Sequence, residues 1–113
     1  MFEREQMQIC QKYSADYVPL DLTAKVGLAR NVREGIRPLN GLRHTPIDGT
    51  TGWYIWAGEI LSKDDDFFLP LHASHLPEWS PLVIPYLALP PGWRFLILEN
   101  YEDVWFDRAI LNP

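Results

Sequence analysis

His72 and His75 stand three residues apart in His72-Ala73-Ser74-His75. On a helix that spacing sets two imidazoles on one face, where a third ligand and a water would complete a zinc site. A metal-dependent hydrolase built on His72, His75 and Glu59 is one function the residue types allow. Pro70 and Pro77 argue against a helix through 70–77, no cysteine is near, and no His-Glu-x-x-His pattern is present. Histidines at the surface or the edge of the core are therefore the preferred reading, with the hydrolase kept as the alternative.

The other candidates are read the same way. Asp64-Asp65-Asp66 invites a divalent cation, but three consecutive acids lack the alternating spacing and sharp glycine turn of a calcium loop, so a solvated turn is expected. Glu59 and Glu102 could pair as acid and base across a sheet, although nothing in the sequence brings them within reach. Cys10 reads as a small buried thiol on a helix face. Ser74 lacks the Gly-x-Ser-x-Gly setting of an activated nucleophile. Gly49-Thr50-Thr51-Gly52 lacks the lysine and the preceding strand of a phosphate loop. Arg94, between Trp93 and Phe95, is expected to pair with a cross-strand acid such as Asp107. No cofactor and no catalytic residue is expected.

Two runs must carry the scaffold. Gly52-Trp53-Tyr54-Ile55-Trp56-Ala57-Gly58-Glu59 packs aromatic and β-branched residues between glycines, and Trp93-Arg94-Phe95-Leu96-Ile97-Leu98 has the same character. Both are expected as neighbouring strands at the centre of one sheet. Val104-Trp105-Phe106-Asp107 closes a hairpin with 93–98. Residues 2–13 predict an amphipathic helix. Residues 25–33 read as a strand, 35–52 as a loop with a short hairpin at Asn40-Gly41, and 81–87 as a short helix opened by Pro81. The expected class is α+β: a single small domain, mostly antiparallel sheet, with one or two helices. Residues 1–24 form the helix and an extended lead-in, and 25–107 the core.

Bulk properties restrict the partners. At 47% hydrophobic and 13% aromatic over 113 residues, the chain can build a core. Its single cysteine excludes an internal disulfide. No signal peptide is visible at the N-terminus, and no apolar run approaches the roughly 20 residues that span a bilayer. A cytoplasmic protein with no membrane partner is expected. Net charge is −5, and residues 46–113 hold ten Asp/Glu against three Lys/Arg. That balance disfavours nucleic acid and suits a basic protein surface. In the 53–56 strand, Trp53 and Ile55 face one side and Tyr54 and Trp56 the other. One face can be core; the other either presents aromatics to a protein partner or a second copy, or is buried under the helices, leaving monomer and homodimer open.

Val26-Gly27 with Arg30, Gly52-Trp53 leading to Ala57-Gly58-Glu59, the Pro-rich segment before Leu87 and the Pro-Gly turn before 93–98 form a pattern. It resembles immunity-protein family thirty-three of the bacterial polymorphic toxins, over about residues 25–107. The loop 35–49 is longer than in that pattern, and Thr51 stands where a serine is usual. The resemblance implies a small non-enzymatic protein that binds a cognate toxin and blocks it. The residues expected to contact the toxin are Trp56, Glu59, Asp64, Asp65, Asp66, Trp79 and Glu102. Acids would speed encounter with a basic surface, and aromatics would supply most of the affinity.

Overall fold

Good helix formers with acids in the first turn and Lys12 in the last make α1 (Glu3–Lys12), a charge order that suits the helix dipole. It ends where Ser14 turns to a φ of 56° and Ala15 N donates to Cys10 O. Its inner face carries Cys10, 2% exposed, beside Ile9 and Tyr13. The computed structural model describes residues 2–62, 64 and 66–111. Among them no helix is long and apolar enough to cross a membrane.

Six strands follow: β1 (Lys25–Ala29), β2 (Leu39–Arg43), β3 (Thr50–Ala57), β4 (Phe68–His72), β5 (Trp93–Leu98) and β6 (Tyr101–Phe106). They form one sheet in the order β4-β1-β3-β2-β5-β6. β1 and β3 run parallel; the other four pairings are antiparallel. With α1, the short helix α2 (Leu76–Trp79) and several 3₁₀ turns, this is the expected α+β class, mostly antiparallel.

Register sorts the side chains. Val26, Leu28, Leu39, Trp53, Ile55, Phe95 and Ile97 share one face and are at most 5% exposed. The 3₁₀ turn 81–86 packs there: Tyr86 stacks on Phe95 with ring centroids 5.1 Å apart, and Trp53 Nε1 donates to Leu87 O at 2.9 Å. α1 docks on that turn through Gln6, whose Nε2 donates to Ile84 O at 3.0 Å. The opposite face presents Leu42, Tyr54, Trp56, Leu96 and Trp105.

Three expectations are corrected. The 93–98 and 53–59 runs lie in one sheet but are not neighbours, because β2 is inserted between them. Asn40-Gly41 is the middle of that strand and not a hairpin turn. A Cβ at Gly41 would collide with the Phe95 ring, so glycine is there to let the ring lie across the backbone. Asn40 Nδ2 donates to Gly58 O at 2.7 Å, fixing a polar side chain in the sheet's centre. Finally, β1 stops at Ala29, and Arg30–Glu34 is a 3₁₀ turn whose Asn31 side chain both donates to Ala57 O and accepts from Ala57 N. That turn caps the end of β3 instead of extending β1.

Candidate functional site

The expected contact residues do not gather at one place. Trp56 points to the face opposite the helices yet is only 4% exposed, with Phe68 edge-on at 6.2 Å. It holds Phe68 in place but has little surface of its own to offer. Glu59, Asp64 and Asp66 are exposed in the connection between β3 and β4; Asp65 lies outside the described residues. Trp79 is half-buried on α2, with the Arg33 guanidinium 4.5 Å from its ring centre. Glu102 lies on the helix-bearing face of β6, away from Trp56.

Glu102 is tied to its own chain. Tyr86 Oη donates to Oε1 at 2.7 Å, Tyr13 Oη donates to Oε2 in a short hydrogen bond, and Lys12 Nζ meets Oε2 at 3.0 Å. The cluster joins α1, the 81–86 turn and β6. Burial by itself pushes the Glu102 carboxyl up, but hydrogen bonds from Tyr13, Tyr86 and Lys12 and the Lys12 charge outweigh it and set the group below its ordinary value. Burial first, and the Glu102 acceptor second, raise both phenols, so they remain donors. A carboxylate whose folded pKa is depressed stabilises the fold fully above its unfolded value of about 4.3 and loses that contribution as pH falls through the lower folded value. Glu102→Gln should therefore cost about 1–2 kcal/mol at neutral pH. In urea titrations the variant and wild-type curves should converge as pH falls below 4. A constant gap at all pH values would show that the charge is not what binds the cluster.

Arg43 is the second buried polar centre, which its position in an expected loop concealed. It is 3% exposed in β2. Nε donates to Thr51 O at 2.9 Å, and Nη1 donates to Val18 O at 2.8 Å and Leu89 O at 2.9 Å. Burial pulls its pKa down to about 10, which keeps it charged at neutral pH. Arg94 and Asp107 pair at 3.0 Å, as their cross-strand positions predict.

His72 and His75 are both exposed, with ring centroids 6.4 Å apart. Among the described residues, no three metal-ligating side chains converge. Cavities bordered by the described residues include two of similar size. One, of about 380 Å³, lies beneath α1 and the lead-in, lined by Phe2, Gln6, Tyr17, Leu20, Pro77 and Ile84. The other, of about 360 Å³, opens beside Tyr54, between Gly27, Gly52, His44, Phe68 and Pro70.

A further surface, which residue types do not single out, is the β5–β6 ladder on the face away from α1. Arg94 stands opposite Trp105, Leu96 opposite Asp103, and Leu98 opposite Tyr101. Alternation within 93–98 and 101–106 about the two-residue turn Glu99-Asn100 was the signal that could have found it.

Residues 5–107 match the family model of the Imm33-like domain. The chain belongs to the Imm33-like family. No curated protein and no solved structure matches it. The Imm33-like span begins within α1 and ends just past β6, so it is wider than the 25–107 pattern. It takes in every strand of the sheet and both sides of the Glu102 cluster. In this Imm33-like domain, Gly52-Trp53 marks the irregular start of β3, and the Gly58-Glu59 end of the pattern follows its last strand residue, Ala57.

Proposed function

We propose that this Imm33-like chain is a non-enzymatic immunity protein of a bacterial cytoplasm, one that binds a cognate protein toxin and blocks it by occlusion. The observation that carries the reading is the family match across all six strands. The charge distribution supports it: ten acids against three bases in residues 46–113 favour a basic partner and disfavour nucleic acid. On this reading the acids that follow β3 in sequence, Glu59, Asp64, Asp65 and Asp66, steer encounter. Trp79 contributes an edge of ring beside Arg33, while Trp56 and Glu102 hold the surfaces around them in shape. Steering of this kind weakens with salt, since charges beyond about 8 Å are screened at physiological ionic strength.

The test is co-expression with the toxin encoded beside this chain's gene. Growth is expected to be rescued, and the two proteins should co-elute, with an association rate that falls as salt rises. A culture that dies regardless of co-expression, with no complex formed from purified components, would reject the proposal.

A further inference from the structure

The two edges of the sheet are unlike. β4 carries Pro70, and a proline inside an edge strand removes a donor from that edge and discourages strand addition. β6, at the other edge, runs Tyr101-Glu102-Asp103-Val104-Trp105-Phe106 with no proline, glycine, lysine or arginine. Asp107 N donates to Gly92 O at 2.7 Å, which fixes the phase of the β5–β6 ladder. Bonded and non-bonded pairs alternate in an antiparallel ladder. The pairs 94/105, 96/103 and 98/101 therefore exchange hydrogen bonds, and the backbone groups of Glu102, Val104 and Phe106 point outward from the sheet.

The face beside this open edge has the composition of a contact surface. Tyr101 is 55% and Leu98 44% exposed, and Trp105 is partly exposed. Arg94 is already answered by Asp107 and lies with its guanidinium 5.3 Å from the Trp105 ring centre. Asp103, exposed between Tyr101 and Trp105, has no hydrogen bond or ion pair from its side chain among the described residues.

Resting on the immunity reading, we infer that the toxin adds an extended basic segment alongside β6 as a seventh strand, with a lysine or arginine opposite Asp103. Residues directly across an antiparallel pair have Cβ atoms about 4.5–5.5 Å apart, within reach of an ion pair, and aromatics diagonal to that position pack on the incoming apolar side chains. Charge selects the occupant. A basic segment complements Asp103 and the acidic C-terminal part, whereas a second copy would bring −5 against −5.

The experiment measures binding of the neighbouring-gene toxin to wild type and to Asp103→Lys, Phe106→Pro and Glu5→Lys, with thermal melts of each. Asp103→Lys reverses an exposed charge and should weaken affinity at least about tenfold, mostly through slower association, with its melt unchanged. Phe106→Pro removes one outward amide and should also weaken binding. Glu5→Lys on α1 makes the same charge change away from the edge and should bind as wild type. If wild type forms the complex and Asp103→Lys binds equally well, the edge proposal is overturned and the immunity reading stands. If wild type forms no complex, both fall. A homodimer in light scattering that Phe106→Pro dissociates would assign the edge to a second copy and overturn the proposal.

Discussion

Arg43→Met is expected to remove about 3–4 kcal/mol of stability, seen as a lower urea midpoint with an unchanged slope. Methionine refills most of the volume, so the loss comes from the acceptors left behind. Thr51 O, Val18 O and Leu89 O belong to three different stretches: the start of β3, the extended lead-in and the segment before β5. Each buried carbonyl without a donor costs about 1–3 kcal/mol, and water can reach some of them after small shifts. Replacing a buried ion pair by apolar residues is often neutral, but that holds when both partners leave together. Here the acceptors are backbone and stay. The guanidinium also lies 5.8 Å from the centre of the Trp53 ring, so its loss loosens the largest fully buried side chain. Arg43→Lys should recover less than half of the loss, because an ammonium is a point donor and not a planar fork that spans three directions. A methionine variant as stable as wild type would show that the three segments are held by apolar packing alone.

The same residue shows why part of the fold was legible and part was not. β3 and β5 announce themselves because their aromatic and β-branched residues are bounded by glycine and proline, whereas β6 is legible only over Val104-Trp105-Phe106, its start at Tyr101 lying in what reads as a turn. α1 is legible through its helix formers and charge order. β2 is not, since Leu39-Asn40-Gly41-Leu42-Arg43 has turn residues at its centre and a charge at its end. All five are nonetheless buried. Each unusual choice is dictated by a neighbour: Gly41 by the Phe95 ring, Asn40 by the Gly58 carbonyl, Arg43 by three carbonyls. Tertiary context overrides strand propensity at a central position, and no local signal records it. The parallel β1–β3 pairing was hidden for the same reason, because it depends on which strand enters between β3 and β5.

Residue type does not tell which candidate side chains are free and which are held by their own chain; packing and register do. Trp56 and Glu102 have the chemistry of contact residues, but Trp56 is packed against Phe68 and Glu102 is held by Tyr13, Tyr86 and Lys12. The cluster brings α1 to a strand near the far end of the chain, which spacing along the sequence does not reveal. The Arg94–Asp107 pair was foreseeable because the β5–β6 hairpin is local. Its two-residue turn fixes which side chains face each other, and the same arithmetic places Asp103 between Tyr101 and Trp105.

Gly52→Ala is expected to cost about 3 kcal/mol or more, because two separate constraints meet at this position. Gly52 has a φ of 87°, a region that costs a residue with a side chain about 1–3 kcal/mol. It sits where the β1–β3 register shifts, Lys25 pairing with Thr50 but Gly27 with Tyr54. A Cβ there would collide with the His44 carbonyl oxygen, whose own amide donates to Gly52 O at 2.8 Å. That obstacle is backbone and cannot rotate away, so overpacking of about 1–3 kcal/mol is added to the strain. Gly49 separates the two contributions: its φ is 79°, but nothing lies within 4 Å of where an alanine methyl would stand, so Gly49→Ala should cost only the backbone strain. If the two alanine variants melt together, the collision at Gly52 is relieved by movement of β2. If Gly52→Ala is the weaker by the expected margin, the glycine is what allows Trp53 to reach Leu87 O and Tyr54 to turn to the other face. If the chain is an immunity protein as proposed, protection against its toxin should then fall with the folded fraction and recover on cooling toward the temperature of maximum stability. Asp103→Lys should lose protection at every temperature with its melt intact. That contrast separates a glycine that shapes the sheet from a carboxylate that, on the docking proposed above, would meet the partner.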